Sequence, residues 1–373
     1  MYRLLVLILL LFLLVSPGFG QYSLSGRVLS RDTKKPLNGC SVFLSNTSRG
    51  TITDSAGYFL LEVLPEGQFD LIISHISHET FRQSIRFPYK VAPLSVELSV
   101  KTGILQEVIV GEYEKGDWKT WGDTFKKQFI GQSDAAKACY IRNTDVIRFL
   151  YHKKKKELIA FADEPLLIEN KSLGYAIRYQ LEDFVFNTYN SHLYFTGFPY
   201  FSELKAGKAK LRHWIKFRTQ IYKGSMMHFL RSLYKNKLAE NQFLVRRLEM
   251  ITESAGPDAP FSFSRTESKL SETIQTGDSI AYAQDSVTLL LDFTDHLQVT
   301  YAGGRLPPDY KPQGMLIGRK PDGLQVSALT LTAGTPVQVF HYGSYAPAKN
   351  LSISGYWAWR EKIAMLLPFD YKP

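Results

Sequence analysis

Between residue 21 and about residue 112 the chain switches repeatedly between apolar runs and polar turn clusters, and that rhythm restricts it to an all-β fold. Runs rich in Val, Ile, Leu, Phe and Tyr lie at 22–29, 40–44, 51–53, 58–63, 69–74, 81–87 and 94–100. Turn clusters at 32–37, 46–50, 54–57 and 65–67 separate them. Short strands at this spacing predict a sandwich or a small barrel. One hairpin can be read in detail. Asp54 can accept hydrogen bonds from the amides that follow it, Gly57 can take a positive φ, and Tyr58 and Phe59 then alternate faces into the next strand.

Three segments in this stretch carry a resemblance. They are Ser25-Gly26-Arg27-Val28, then Pro36-Leu37-Asn38-Gly39-Cys40-Ser41-Val42, then Gly50-Thr51-Ile52-Thr53-Asp54-Ser55-Ala56-Gly57-Tyr58-Phe59. In that order they resemble the carboxypeptidase regulatory-like domain. The resemblance implies a transthyretin-like or Ig-like sandwich over residues 21–112 that serves as a scaffold or appendage and carries no catalytic residues. Cys40 stands where the family prefers Ala, and Ser77 and His78 stand where an Ile-Gly-Tyr-like pair is common.

Residues 1–20 read as a signal peptide. Arg3 supplies a positive start, residues 4–15 are an unbroken apolar run, Ser16 and Pro17 break it, and Gly18-Phe19-Gly20 offers small residues at the cleavage positions. The run is too short to span a bilayer, which needs about 20 residues. Gln21 rather than Cys follows, so a lipoprotein anchor is not expected. No internal transmembrane helix is predicted. The address implied is the periplasm, outer membrane or cell surface of a Gram-negative bacterium. That address excludes nucleic acid as a partner, although the net charge is +10. Scattered charges of mixed sign serve solubility first and allow peripheral contact with a membrane surface. Cys40 and Cys139 are too few for a disulfide framework and are expected to be buried thiols.

Residues 113–373 read as an α+β domain with antiparallel sheet, which makes the chain multidomain. Trp118, Trp121, Phe125 and Phe129 mark an amphipathic helix joining it to the sandwich. Strands are predicted at 140–151, 158–162, 166–169, 175–186 and 192–198, with Lys153 to Lys156 at a hairpin tip. Residues 205–250 read as helical, with Ser225 capping a helix that starts at Met226. Beyond the loop at 255–260, strands are predicted at 287–293, 297–301, 314–317, 329–331 and 337–342. Glu169-Asn170, Leu173-Gly174-Tyr175, Arg218, Tyr222, Gly224-Ser225, His228-Phe229 and Arg231-Ser232-Leu233 resemble the C-terminal region found beside regulatory-like domains in many Bacteroidota envelope proteins. That second resemblance bears on architecture and location, not on activity.

Motif chemistry is sparse. There is no His-Glu-x-x-His, Cys-x-x-Cys, Gly-x-Ser-x-Gly or Gly-Lys-Ser/Thr sequence, and no His is followed three positions later by Glu. Zinc carboxypeptidase activity is therefore not expected, nor any metal or cofactor. His75 and His78 lie three apart, but a strand end would not bring them together as a helix would. The richest polar group is Arg218, Tyr222, Ser225, His228 and Arg231, the candidate ligand-binding residues. If two helices meet across Gly224-Ser225, the arginines could clamp an anion or pair with Glu169, Glu182 or Asp183. Ser225 and His228 could be nucleophile and base, or a cap and a satisfied interdomain histidine. The main expectation is a non-catalytic binding or scaffolding role toward an envelope protein or polysaccharide. A hydrolase or transferase acting on envelope glycans or peptides is the alternative.

Overall fold

The computed structural model describes residues 22–87, 92–101, 113–254, 264–310 and 323–373. The leader at 1–20, the loop at 255–260 and the strand expected at 314–317 lie outside the described residues.

The first strands are β1 (Tyr22–Ser30), β2 (Ser41–Leu44), β3 (Gly50–Ile52), β4 (Tyr58–Leu64), β5 (Gly67–His75), β6 (His78–Phe87) and β7 (Leu94–Leu98). They form a sheet ordered β4-β1-β7 and a second ordered β3-β2-β5-β6. β7 runs parallel to β1; the other pairs are antiparallel. Period-2 alternation sends Leu24 and Val28 of β1 inward, where Val42, Leu44, Phe59, Leu61, Leu71, Ile73 and Val96 meet them. This is the sandwich read from the sequence. Asp54 Oδ1 accepts from the amides of Ala56 at 2.9 Å and Tyr58 at 2.8 Å. Gly57 takes φ +79°, and a Cβ there would come within 2.5 Å of the Val28 carbonyl oxygen.

A third sheet follows: β8 (Tyr113–Gly116), β9 (Cys139–Ile141), β10 (Ile147–His152), β11 (Glu157–Ala162), β12 (Leu166–Asn170), β13 (Tyr175–Asn187) and β14 (Leu193–Glu203). Its order is β8-β10-β11-β13-β12-β9, with β14 paired along β13. The strand expected over 140–151 is two strands broken by a 3-10 turn at Thr144–Val146. Helix α1 (Trp118–Phe129), capped by Asp117, lays Phe125 and Phe129 on this sheet beside Phe149, Tyr179 and Phe184. The two tryptophans join the same packing, Trp118 near Phe149 and Trp121 near Tyr151. Lys153 to Lys156 do form the turn between β10 and β11, where Lys153 pairs with Glu114.

Helices α2 (Lys208–Tyr222) and α3 (Met226–Tyr234) come next. Helix does not persist to residue 250 as expected. Phe243 and Val245 alternate inward as part of β15 (Phe243–Ser254), which pairs with β19. The remaining strands are β16 (Ser264–Ile274), β17 (Ala281–Asp285), β18 (Thr288–Leu291), β19 (His296–Arg305), β20 (Leu324–Leu331), β21 (Val337–Phe340), β22 (Tyr345–Ala346) and β23 (Leu351–Gly355). They make one sheet ordered β16-β15-β19-β20-β23 and another ordered β17-β18-β21-β22. Val245, Leu297, Val299 and Leu329 from the first share a core with Leu291, Val337 and Val339 from the second. Phe229, Leu230 and Leu233 of α3, and Trp357 of the short helix α4 (Tyr356–Arg360), complete it.

The sandwich is clasped from two sides. Asn46 N–H donates to the Pro199 carbonyl at 2.7 Å, and Phe201 N–H to the Thr47 carbonyl at 3.0 Å. Phe43 and Ile72 pack on Phe198 and Tyr200 of β14. On the other side Phe340, the last residue of β21, and Tyr342, two residues beyond it, enter the sandwich core itself. The Tyr342 ring stacks on Phe69 at 4.4 Å, and its hydroxyl donates to the Gln68 carbonyl. Cys40 and Cys139 are both buried and free.

Candidate functional site

The chain turns sharply between α2 and α3, and this corner gathers four of the five candidate residues, Tyr222, Ser225, His228 and Arg231. Gly224 takes φ +72°; a Cβ there would stand 2.5 Å from the Tyr301 ring. Ser225 follows in an extended conformation and caps α3. Its Oγ accepts from the His228 amide at 3.0 Å and donates to the Tyr222 carbonyl at 2.7 Å. The hydroxyl is thus bound to backbone in both roles.

His228 is buried, its ring set among Tyr222, Phe243 and Tyr301. Gly224 N–H points at Nδ1 from 3.1 Å, so Nδ1 is the acceptor and Nε2 carries the proton it gives to Asn241 Oδ1 at 3.2 Å. Burial holds the ring's pKa below the ordinary histidine value, and the Asn241 bond only partly opposes this. Both ring nitrogens therefore have partners other than Ser225, and a Ser225–His228 nucleophile–base pair is not formed.

The arginines are equally committed. Arg218, only 4% exposed, donates from Nε to the Leu173 carbonyl at 2.7 Å and from Nη2 to the Gly174 carbonyl at 3.3 Å. Its Nη1 pairs with Glu203, and its guanidinium lies 3.9 Å from the Tyr175 ring centre. The acidic partner is thus Glu203 rather than Glu169, Glu182 or Asp183. Arg231 donates to three carbonyls: Tyr342 at 2.9 Å, Phe369 at 3.0 Å and Tyr371 at 3.0 Å. The structure joins Tyr222, Ser225, His228 and Arg231 as a polar knot between segments, and sets Arg218 one helical turn earlier, against Leu173, Gly174 and Glu203.

Next to the knot is a cavity of about 550 Å³ where the sandwich, α3 and the C-terminal segment meet. Asp70 and Arg82 line it from β5 and β6 as an ion pair at 2.9 Å, and Ser225, Met226 and Tyr342 line it from the other side. Glu361 also lines it, its carboxylate accepting from the Met226 amide at the head of α3 at 3.0 Å. Burial raises the Glu361 pKa, and Arg360 and the Met226 amide pull the other way. Sequence reading did not find this group. Its lining comes from segments hundreds of residues apart, and only Ser225 lay in a recognised pattern.

A second surface is the free flank of the sandwich. Among the described residues β4 pairs with β1 alone and ends its sheet, and β3 ends the other. Tyr58, Leu60 and Val63 of β4 and Ile52 of β3 are large apolar side chains left exposed there.

Residues 24–110 match the family profile of the CarboxypepD_reg-like domain. No curated protein matches the chain. Among solved structures, one from Bacteroides fragilis, provisionally described as a membrane-associated protein of unknown function, is 8% identical. The alignment covers 86% of this chain and 93% of that one, with a TM-score of 0.18, at which likeness supports no inference.

Proposed function

Because residues 24–110 are a carboxypeptidase regulatory-like domain, we propose that this chain is an exported cell-envelope protein that binds or scaffolds without catalysis. In this reading residues 1–20 are removed, and residues 21–112 and 113–373 are two domains working as one body. The partner engages the β4 flank of the sandwich and is an extended segment of another envelope protein.

The observation that carries this is the edge of β4, seven residues long and unpaired on one side among the described residues, with Tyr58 and Leu60 alternating on its exposed face. A free edge offers a row of unpaired backbone donors and acceptors. A strand laid against it gains main-chain hydrogen bonds, and the alternate apolar side chains select its sequence. Among the described residues no helix is long and apolar enough to cross a membrane.

Leu60→Lys keeps the strand but puts an ammonium where an apolar contact would form. The mature chain and this variant, used as bait against envelope extract, should differ at least about tenfold in recovery of one partner. Equal recovery sinks the β4 assignment. Recovery of the chain from cytosol with residues 1–20 intact sinks the location.

The hydrolase reading has one observation in its favour, the cavity with the raised carboxyl of Glu361. Capping of α3 accounts for that carboxyl equally well. Turnover of envelope glycan or peptide that vanishes in Glu361→Gln would favour the enzyme.

A further inference from the structure

The β5–β6 hairpin turns through Ile76 and Ser77 alone, so His75, ending β5, and His78, opening β6, are register partners across it. A two-residue turn sets residues i and i+3 face to face, as one turn of helix would. Their Nδ1 atoms stand 3.1 Å apart, and the Ser77 hydroxyl lies 3.0 Å from each. We propose that this tip binds one divalent transition-metal ion, Cu²⁺, Ni²⁺ or Zn²⁺, through His75 Nδ1 and His78 Nδ1, with the Ser77 hydroxyl beside them.

The spacing fits. Two donors bonded at about 2.0–2.1 Å stand about 2.9 Å apart at right angles and about 3.3 Å apart at the tetrahedral angle. The observed edges fall between. Two imidazoles are the first choice of ligand for these ions, and carboxylate-preferring Mg²⁺ or Ca²⁺ is excluded by the same chemistry. Ile76 and Ser77 are exposed, so water can complete the shell.

The site is built before any ion arrives. Glu79 N–H donates to the Ser99 carbonyl at 2.8 Å and Lys101 N–H to the Ser77 carbonyl at 3.0 Å, which tie the β6 side of the turn to the segment just beyond β7. The Ser77 amide is directed at His75 Nδ1 from 3.4 Å, so that nitrogen presents its lone pair rather than a proton. His78 is buried with Nε2 unpartnered, and its polar contacts are all at Nδ1, in the cluster. Lys101 repels a dication, which limits the affinity; its ammonium is directed at the Asp163 carbonyl at 3.2 Å.

The untagged mature chain should take up one equivalent of Cu²⁺ in calorimetric titration near neutral pH, more tightly than Ni²⁺ or Zn²⁺. The copper EPR spectrum should show coupling to two imidazole nitrogens. His75→Ala should weaken uptake at least about tenfold, and His213→Ala, on α2, should leave it unchanged. No uptake, uptake that survives His75→Ala, or a copper spectrum without nitrogen coupling overturns the proposal. The spectrum reads the intact chain, so it decides even where a variant folds poorly.

Discussion

Arg231 shows how far a charged side chain on a recognisable helix can stand from a ligand-binding role. Its five N–H groups form a rigid fork, and the structure uses it to collect the carbonyls of residues 342, 369 and 371, with the Tyr222 ring 5.4 Å from the guanidinium. Lysine has one compact donor centre and cannot reach three carbonyls in three directions. Arg231→Lys should therefore cost about 2–3 kcal/mol in urea unfolding, because carbonyls are left buried and unpaired. A loss under about 0.5 kcal/mol would mean that those carbonyls are served by water. The sequence showed Arg218 and Arg231 as cations on one side of a helical corner. It could not show that their acceptors are main-chain oxygens, since a carbonyl leaves no trace in residue identity. It could show Ser225, because capping is local and its partner is three residues away.

Helix α3 illustrates what a helix draws from afar. Its Ser225 cap was readable; its second capping acceptor, the Glu361 carboxyl, lies 135 residues from the Met226 amide it accepts from. The same difficulty hid β15. Arg246, Arg247 and Glu249 among apolar residues suit a helix as well as a strand, and only pairing with β19 decides. The His75–His78 pairing was hidden for another reason, since a two-residue turn makes i and i+3 neighbours without any helix. Glu361 also sets a pH dependence. Its folded pKa lies above the unfolded value, so the folded chain holds that proton more tightly. The associated stability is present below the ordinary carboxyl range and is lost as pH rises through the folded value. Glu361→Gln keeps an acceptor for Met226 N–H and removes the charge. Its melting temperature should match the parent near pH 4 and exceed it increasingly toward pH 8. A variant that melts lower at every pH would show the carboxylate to be a net asset.

The two regions predicted as separate domains share more than a covalent link. Phe340 and Tyr342 belong to the sandwich core, and Arg86 of β6 pairs with Asp285 of β17 at 2.9 Å. Phe369 N–H also donates to the Asn46 carbonyl at 2.6 Å. The sandwich strands were legible because each is a short alternating run between turns. The clasp was not, because nothing in a Tyr at 342 names Phe69 as its partner. In calorimetry the mature chain should melt in one transition. Tyr342→Ala removes a ring worth about 3–5 kcal/mol when buried and should split that transition in two, the sandwich melting first. A single transition, merely shifted, would place the coupling in the β14 contacts instead.

A chain made amino terminus first delivers β1 to β7 long before residues 340–342 arrive. Until then the gap beside Phe69 is open and the sandwich lacks part of its filling. The last third of the polypeptide is in effect a lock that closes on the first, so premature termination would leave an early module that is whole in outline yet unfinished inside.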